Sequence, residues 1–300
     1  MMLAVWVAVA SAAFFACGTS LQHRAAGSLP GSDGSGVRMV TRLARRPSWL
    51  AGIGFSVLAF CLHATALSLG DLALVQPVIV SGIVFAVLVR NALDRRLPSR
   101  RELAWSAFTW AGLALFISVV RSSAPHPPST TNAVWFVSAG VGMVSVAVLA
   151  ANKTKAAQRR GLLLGGAAGV LFGLIAGLIK VALGQAALGV VHLFAHWSPW
   201  VMLALGIWAL VLNQRAYQAT RLSVSMPVLN IVDVMVAIAF GFAVFGERLF
   251  SSPLTLGAEI VGLLAIGIGV RQLAAAAEVA PIPVSALAPP EAANATRTTS

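Results

Sequence analysis

The chain has 300 residues, 58% of them hydrophobic and only 10% charged, with a mean hydropathy of +0.87. A soluble domain carries roughly 25% charged residues, so the composition excludes a soluble globular fold and points to a polytopic membrane protein. The net charge of +12 does not imply a nucleic-acid partner, because the basic residues sit in short connections between apolar runs, where they set orientation.

Nine apolar stretches reach the length that crosses a bilayer: residues 2–21, 48–69, 72–90, 102–120, 133–151, 161–183, 199–215, 222–246 and 254–272. The expected fold is therefore all-α, a polytopic membrane bundle of nine transmembrane helices. The first span holds Cys17 and the second Cys61. Both lie inside apolar runs and read as small buried hydrophobes rather than a disulfide pair. The connection between these spans has a Gly/Ser-rich centre, then Arg38, Arg42, Arg45 and Arg46, and reads as a solvated loop that fixes topology. Asp71 precedes the third span as its N-cap.

The sixth span carries Gly161, Gly165, Gly169, Gly173 and Gly177 at intervals of four, a stripe that lets a neighbouring backbone come close. Lys180 at its end, and Glu259 early in the ninth span, read as reaching the outer interface. His192 and His196 are four apart, with Leu-Phe-Ala between them and no Glu beside the first. They read as an outer interfacial turn with Trp197 and Trp200, not as a metal pair. Residues 273–300, rich in Ala, Pro, Ser and Thr, read as a disordered cytoplasmic tail.

The basic residues alternate. The connections after the first, third, fifth and seventh spans hold most of them, among them Arg90, Arg95, Arg96, Arg100 and Arg101, whereas the other side has Arg121 and Arg248. This bias puts the N-terminus outside and the C-terminus in the cytoplasm of a multi-pass plasma-membrane protein.

The third and eighth spans resemble each other. Gln76-Pro77 occupies the place of Met226-Pro227, and Arg96-Leu97 that of Arg248-Leu249 after a gap of two. The two spans run in opposite directions, so the repeats are inverted: the first about 1–121, the second about 161–272, with 133–151 as a linker helix. Residues 1–272 then form one transporter domain, because inverted repeats with proline-interrupted helices are the plan of secondary transporters. Asp233 falls near the bilayer midplane, where a carboxylate is costly to bury, so it is the leading candidate for coupling or substrate charge. Asn230 lies one turn before it, and Pro227 frees a carbonyl near that face. Gln76 and Pro77 are the counterparts from the other half. His63 in the second span, and Asn213 near the cytoplasmic end of the seventh, complete the candidate set.

The segment WLAGIGFSVLAFCLHATALSLGDLALVQP at 49–77, the run Leu93–Leu97, and Pro227 through Glu247-Arg248-Leu249 together resemble the drug/metabolite transporter superfamily. With nine spans the chain looks most like its NIPA-type branch. The resemblance implies alternating access to a small metabolite or cation, with the substrate unresolved. The magnesium carriers of that branch tend to have a Gly-Glu pair and an Asn in the second span. Here Ala59-Phe60 and His63 stand at those places, without the carboxylate a hard divalent cation prefers. Magnesium transport is the alternative, and a non-transporting membrane scaffold the second. No nucleophile elbow, phosphate loop or cysteine cluster occurs, so neither catalysis nor a cofactor or resident metal is expected. The expected partners are the substrate and the lipid bilayer, with a homodimer left open.

Overall fold

The computed structural model describes residues 1–27, 43–120, 127–220, 222–247 and 253–279. The basic stretch 28–42, Arg121, Arg221, Arg248 and the tail from 280 onward lie outside the described residues. Long runs of Leu, Ala and Val with few internal breakers give α1 Met2–Gly27, α2 Pro47–Leu69, α3 Leu72–Val80, α4 Ile83–Leu93, α5 Arg100–Val119, α6 Thr130–Lys153, α7 Ala157–Ala186, α8 Val190–Ala195, α9 Ser198–Ala219, α10 Leu222–Phe245 and α11 Pro253–Val279. The starts carry recognisable signals. Pro47 opens α2, Ser99 and Glu102 form a capping box on α5, and the Ser129 hydroxyl accepts from Asn132 N at the start of α6.

Among the described residues, eight helical segments are long and apolar enough to cross a membrane, with α3 and α4 together making one. The expected seventh span, α9, has 22 residues but is not among the eight. Its last turns hold Asn213, Gln214 and Arg215, which dilute its hydropathy. At the other end of the sequence, α11 continues to Val279, past the expected boundary at 272, because Ala274–Ala277 is a strong helix-forming run.

The third span is broken. Pro77 cannot donate to the helical ladder, and one turn later Gly82 N bonds to Ile79 O and Val84 N to Ser81 O, each three residues back. The buried Ser81 hydroxyl donates to Val78 O at 2.6 Å and satisfies a carbonyl at the break. The partner helix α10 runs unbroken through Pro227.

The most enclosed helix is α7, which packs against α10, α9, α6 and α2. Its glycine stripe performs the expected packing. A methyl group at Gly165 would stand 2.9 Å from Ser225 O, and one at Gly173 2.7 Å from Asp233 O. Gly169 meets Leu229 O in the same way, and Gly161 meets Thr220. Glycine also sets two other crossings. Gly18 and Gly52 face each other between α1 and α2, and Gly112 and Gly262 between α5 and α11. The outer surface is apolar, as on α6, where Trp135, Met143, Val146 and Leu149 are exposed. That is the surface a bilayer covers, which makes this a multi-pass membrane-type bundle.

The contacts order the bundle's two ends. Gly70 lies by Ala4, Gly177 by Phe240, and Asn132 donates to Ala243 O, so these residues mark one end. At the other end Gly161 meets Thr220, Arg24 pairs with Asp94 at 3.6 Å, and Arg90 pairs with Glu102 at 2.8 Å.

Candidate functional site

Two groups of polar residues lie inside this apolar bundle. The first is spread over several helices. A small cavity of about 60 Å³ opens between α3, α10 and α11, with Pro77 and Val80 on one side and Asn230, Val234 and Met235 on another. Asn230 and Pro77, each expected from sequence to line a central site, are thus brought together. The break after Pro77 bends the chain beside this cavity.

Asp233 does not line the cavity. Residues 230, 231, 234 and 235 take that face, while the Asp233 carbonyl lies against Gly173 of α7. Its Oδ1 is enclosed and has no hydrogen-bond partner. Burial of a carboxylate oxygen without a donor is costly, and native structures seldom leave such a group without a use. His63 Nδ1 on α2 and Asn213 Oδ1 on α9 are enclosed and unpartnered in the same sense. Gln76 and Pro227 are buried, on α3 and α10 respectively. The candidate residues therefore sit on α2, α3, α9 and α10. Of the set, Pro77 and Asn230 line this cavity. Among the described residues no three His, Cys, Asp or Glu side chains gather as a metal site.

The second group was not visible as a group in the sequence. Lys180, near the end of α7, does not run out to the interface. Its Nζ donates to Glu247 Oε1 at 2.6 Å and to Gly70 O at 3.0 Å, lies 3.8 Å from Asp71 Oδ1, and stands 5.0 Å over the Phe245 ring. Glu247 reaches this place because α10 ends in a glycine turn. Gly246 has φ +66, Gly246 N bonds to Phe242 O, and Glu247 N bonds to Gly241 O. This glycine turn folds the chain back over Gly241, where a side chain would collide with the Glu247 carboxylate.

The carboxylate then caps another helix. Oε1 accepts from Leu72 N at 3.2 Å and Oε2 from Ala73 N at 3.4 Å. Asp71 holds the N-cap position of α3 as expected, but its side chain makes no cap bond there, and Glu247 takes over that role. Burial pushes the Glu247 carboxyl above the usual carboxylate range, against the pull of Lys180. Glu259, expected at the interface, is buried in α11 with an unpartnered Oε1.

One signal could have exposed the second group. A glycine closing a long apolar run marks a helix C-terminus, which places Glu247 just past the end of α10.

A curated relative from Corynebacterium glutamicum, an uncharacterized protein, is 29% identical over 253 residues, covering 82% of this chain and 86% of its own length. No family model and no solved structure matches the chain.

Proposed function

We propose that the chain is a secondary membrane transporter of the drug/metabolite transporter type, moving a small metabolite or cation by alternating access. On this reading α9 also crosses, as the seventh of nine spans, and the nine run from an outer N-terminus to a cytoplasmic C-terminus in the plasma membrane. Residues about 1–121 and 161–272 form inverted halves joined through α6.

The observation that carries the proposal is a recurring packing pattern. In the first half α1 packs against α2 and against the α3/α4 pair. In the second half α7 packs against α9 and α10, which hold the equivalent places. Equivalent helices also meet across the halves, α3 with α10 and α5 with α11. Two halves related in this way are the arrangement of transporters that rock about a central site. The cavity at Pro77 and Asn230 lies at the α3–α10 junction, and Asp233 supplies the only described carboxylate in the middle of α10.

Reconstitution into proteoliposomes with a panel of metal ions, amines, amino acids and nucleosides tests the reading. Wild-type protein is expected to accumulate or release at least one class, and Asp233→Asn to lose that flux or its pH dependence. Wild-type rates and pH dependence in Asp233→Asn, for every accepted substrate, would remove Asp233 from the mechanism. A wild type inert toward the whole panel would favour the scaffold alternative.

A further inference from the structure

The Lys180 cluster joins the two halves at one end of the bundle only. Lys180 and Glu247 belong to the second half, on α7 and just past α10; Gly70, Asp71, Leu72 and Ala73 belong to the first, at the α2–α3 junction. At the opposite end the described ion pairs, Arg24 with Asp94 and Arg90 with Glu102, lie within the first half.

We propose that Lys180, Glu247 and Asp71 form a breakable charge latch that holds this end of the bundle closed and releases when the halves rock apart. The inference rests on the reading of the chain as two moving halves. Its basis is geometric. One ammonium is held by a carboxylate, a carbonyl, a second carboxylate and an aromatic face, and the same carboxylate caps a helix of the other half. The side chains involved are mostly buried, with exposures of 18% for Lys180, 5% for Glu247 and 15% for Asp71.

Ion pairs in such surroundings suit a switch better than a permanent brace. Desolvation offsets much of their attraction, so the closed form is only modestly favoured, while loss of either partner strands a buried charge. Opening exposes both groups to water, which rehydrates them. The cluster is also specific, because the closed form needs the glycine turn at 246, the gap at Gly241 and the free N–H groups of α3 at the same time.

The test reads closure directly, without transport. In a background with Cys17 and Cys61 changed to Ala, Val244→Cys places a reporter in the buried layer under the latch. Its reaction with a membrane-impermeant maleimide is timed in proteoliposomes. Lys180→Met is expected to raise the labelling rate by about tenfold, a typical size for a coupled two-state equilibrium. Lys180→Arg, which keeps the charge, is expected to stay near the parent rate. Equal rates in Lys180→Met and the parent would overturn the latch. So would equal acceleration in Met and Arg, since that would reflect fit rather than charge.

If Lys180→Met is not monodisperse, Lys180→Gln, which also removes the ammonium, carries the same expectation and the same refutation. A wild type that transports nothing while its labelling responds as expected would overturn the transport reading and leave the latch standing.

Discussion

The backbone carbonyl of Asp233 packs directly on Gly173, where a methyl group would stand 2.7 Å from the oxygen and 2.7 Å from Val236 Cβ. The obstacle at that site is main chain, which cannot rotate away. Gly173→Ala is therefore expected to force α7 and α10 apart and cost about 1–3 kcal/mol, the usual range for overpacking. Gly184, on the same helix, has nothing within 4 Å of an added methyl. Gly184→Ala is expected to be neutral or stabilising by about 0.5–1 kcal/mol, as for a helix glycine without a packing role. Thermal unfolding in detergent distinguishes the two, and equal midpoints would show that the stripe is not a tight interface.

Gly246 tests the turn separately from packing. Its φ of +66 is left-handed, and no atom lies within 4 Å of an added methyl. The whole cost of Gly246→Ala is then conformational, about 1–2 kcal/mol. Gly246→Asn should recover part of it, since Asn tolerates this conformation. An alanine variant as stable as wild type would mean that the closure of α10 does not depend on the left-handed residue.

The glycine stripe and the break in the third span were legible in the sequence because both are local. Five glycines at intervals of four mark one helix face, and Pro77 removes a rung of the ladder it sits in, although the same residue type at Pro227 leaves α10 unbroken. The place of Asp233 midway along α10 was legible for the same reason, since it follows from counting along one helix. Its surroundings were not. Which residues face it depends on the rotation of α10, which the Gly173 contact sets and local spacing does not. The latch was hidden more deeply. Lys180 and Glu247 are 67 residues apart, Lys180 reads by itself as a group reaching the outer interface, and nothing in local spacing pairs it with Glu247. The expected topology puts both ends on one side, but only the fold brings the two side chains together. The seventh span falls short as a crossing for a compositional reason, since Asn213, Gln214 and Arg215 make the end of α9 polar.

Glu247 gives a pH prediction with a definite sign. Burial raises its carboxyl above the ordinary value, with the Asp71 charge adding to the rise and Lys180 and the Leu72 N–H opposing it. The folded protein thus holds a proton at this site at higher pH than the unfolded chain does. The resulting stability is fully present below the unfolded value of about 4.3 and is lost as pH rises through the raised folded value. Unfolding midpoints measured from pH 4 upward should therefore fall across that window in wild type. Glu247→Gln should flatten this trend, because the amide does not titrate. A variant with the same slope as wild type would assign the pH dependence to another group.

Asp233 offers the sharpest separation of function from stability. Its enclosed Oδ1 has no donor, so the charged form gains nothing there to offset the loss of water. Asp233→Asn keeps the shape and removes the charge. It is expected to leave thermal stability unchanged, or raise it by up to about 1 kcal/mol, as when a site held for function is relaxed. Flux in proteoliposomes is expected to fall away in the same variant. A structural Asp behaves in the opposite way. It would make hydrogen bonds whose loss costs about 1–3 kcal/mol while the remaining folded protein still transports. Measuring unfolding midpoint and flux on one preparation decides between the two. A destabilised but active Asp233→Asn would identify the carboxylate as part of the α7–α10 packing and move the search for the coupling group to His63 and Asn213, whose enclosed atoms also lack partners.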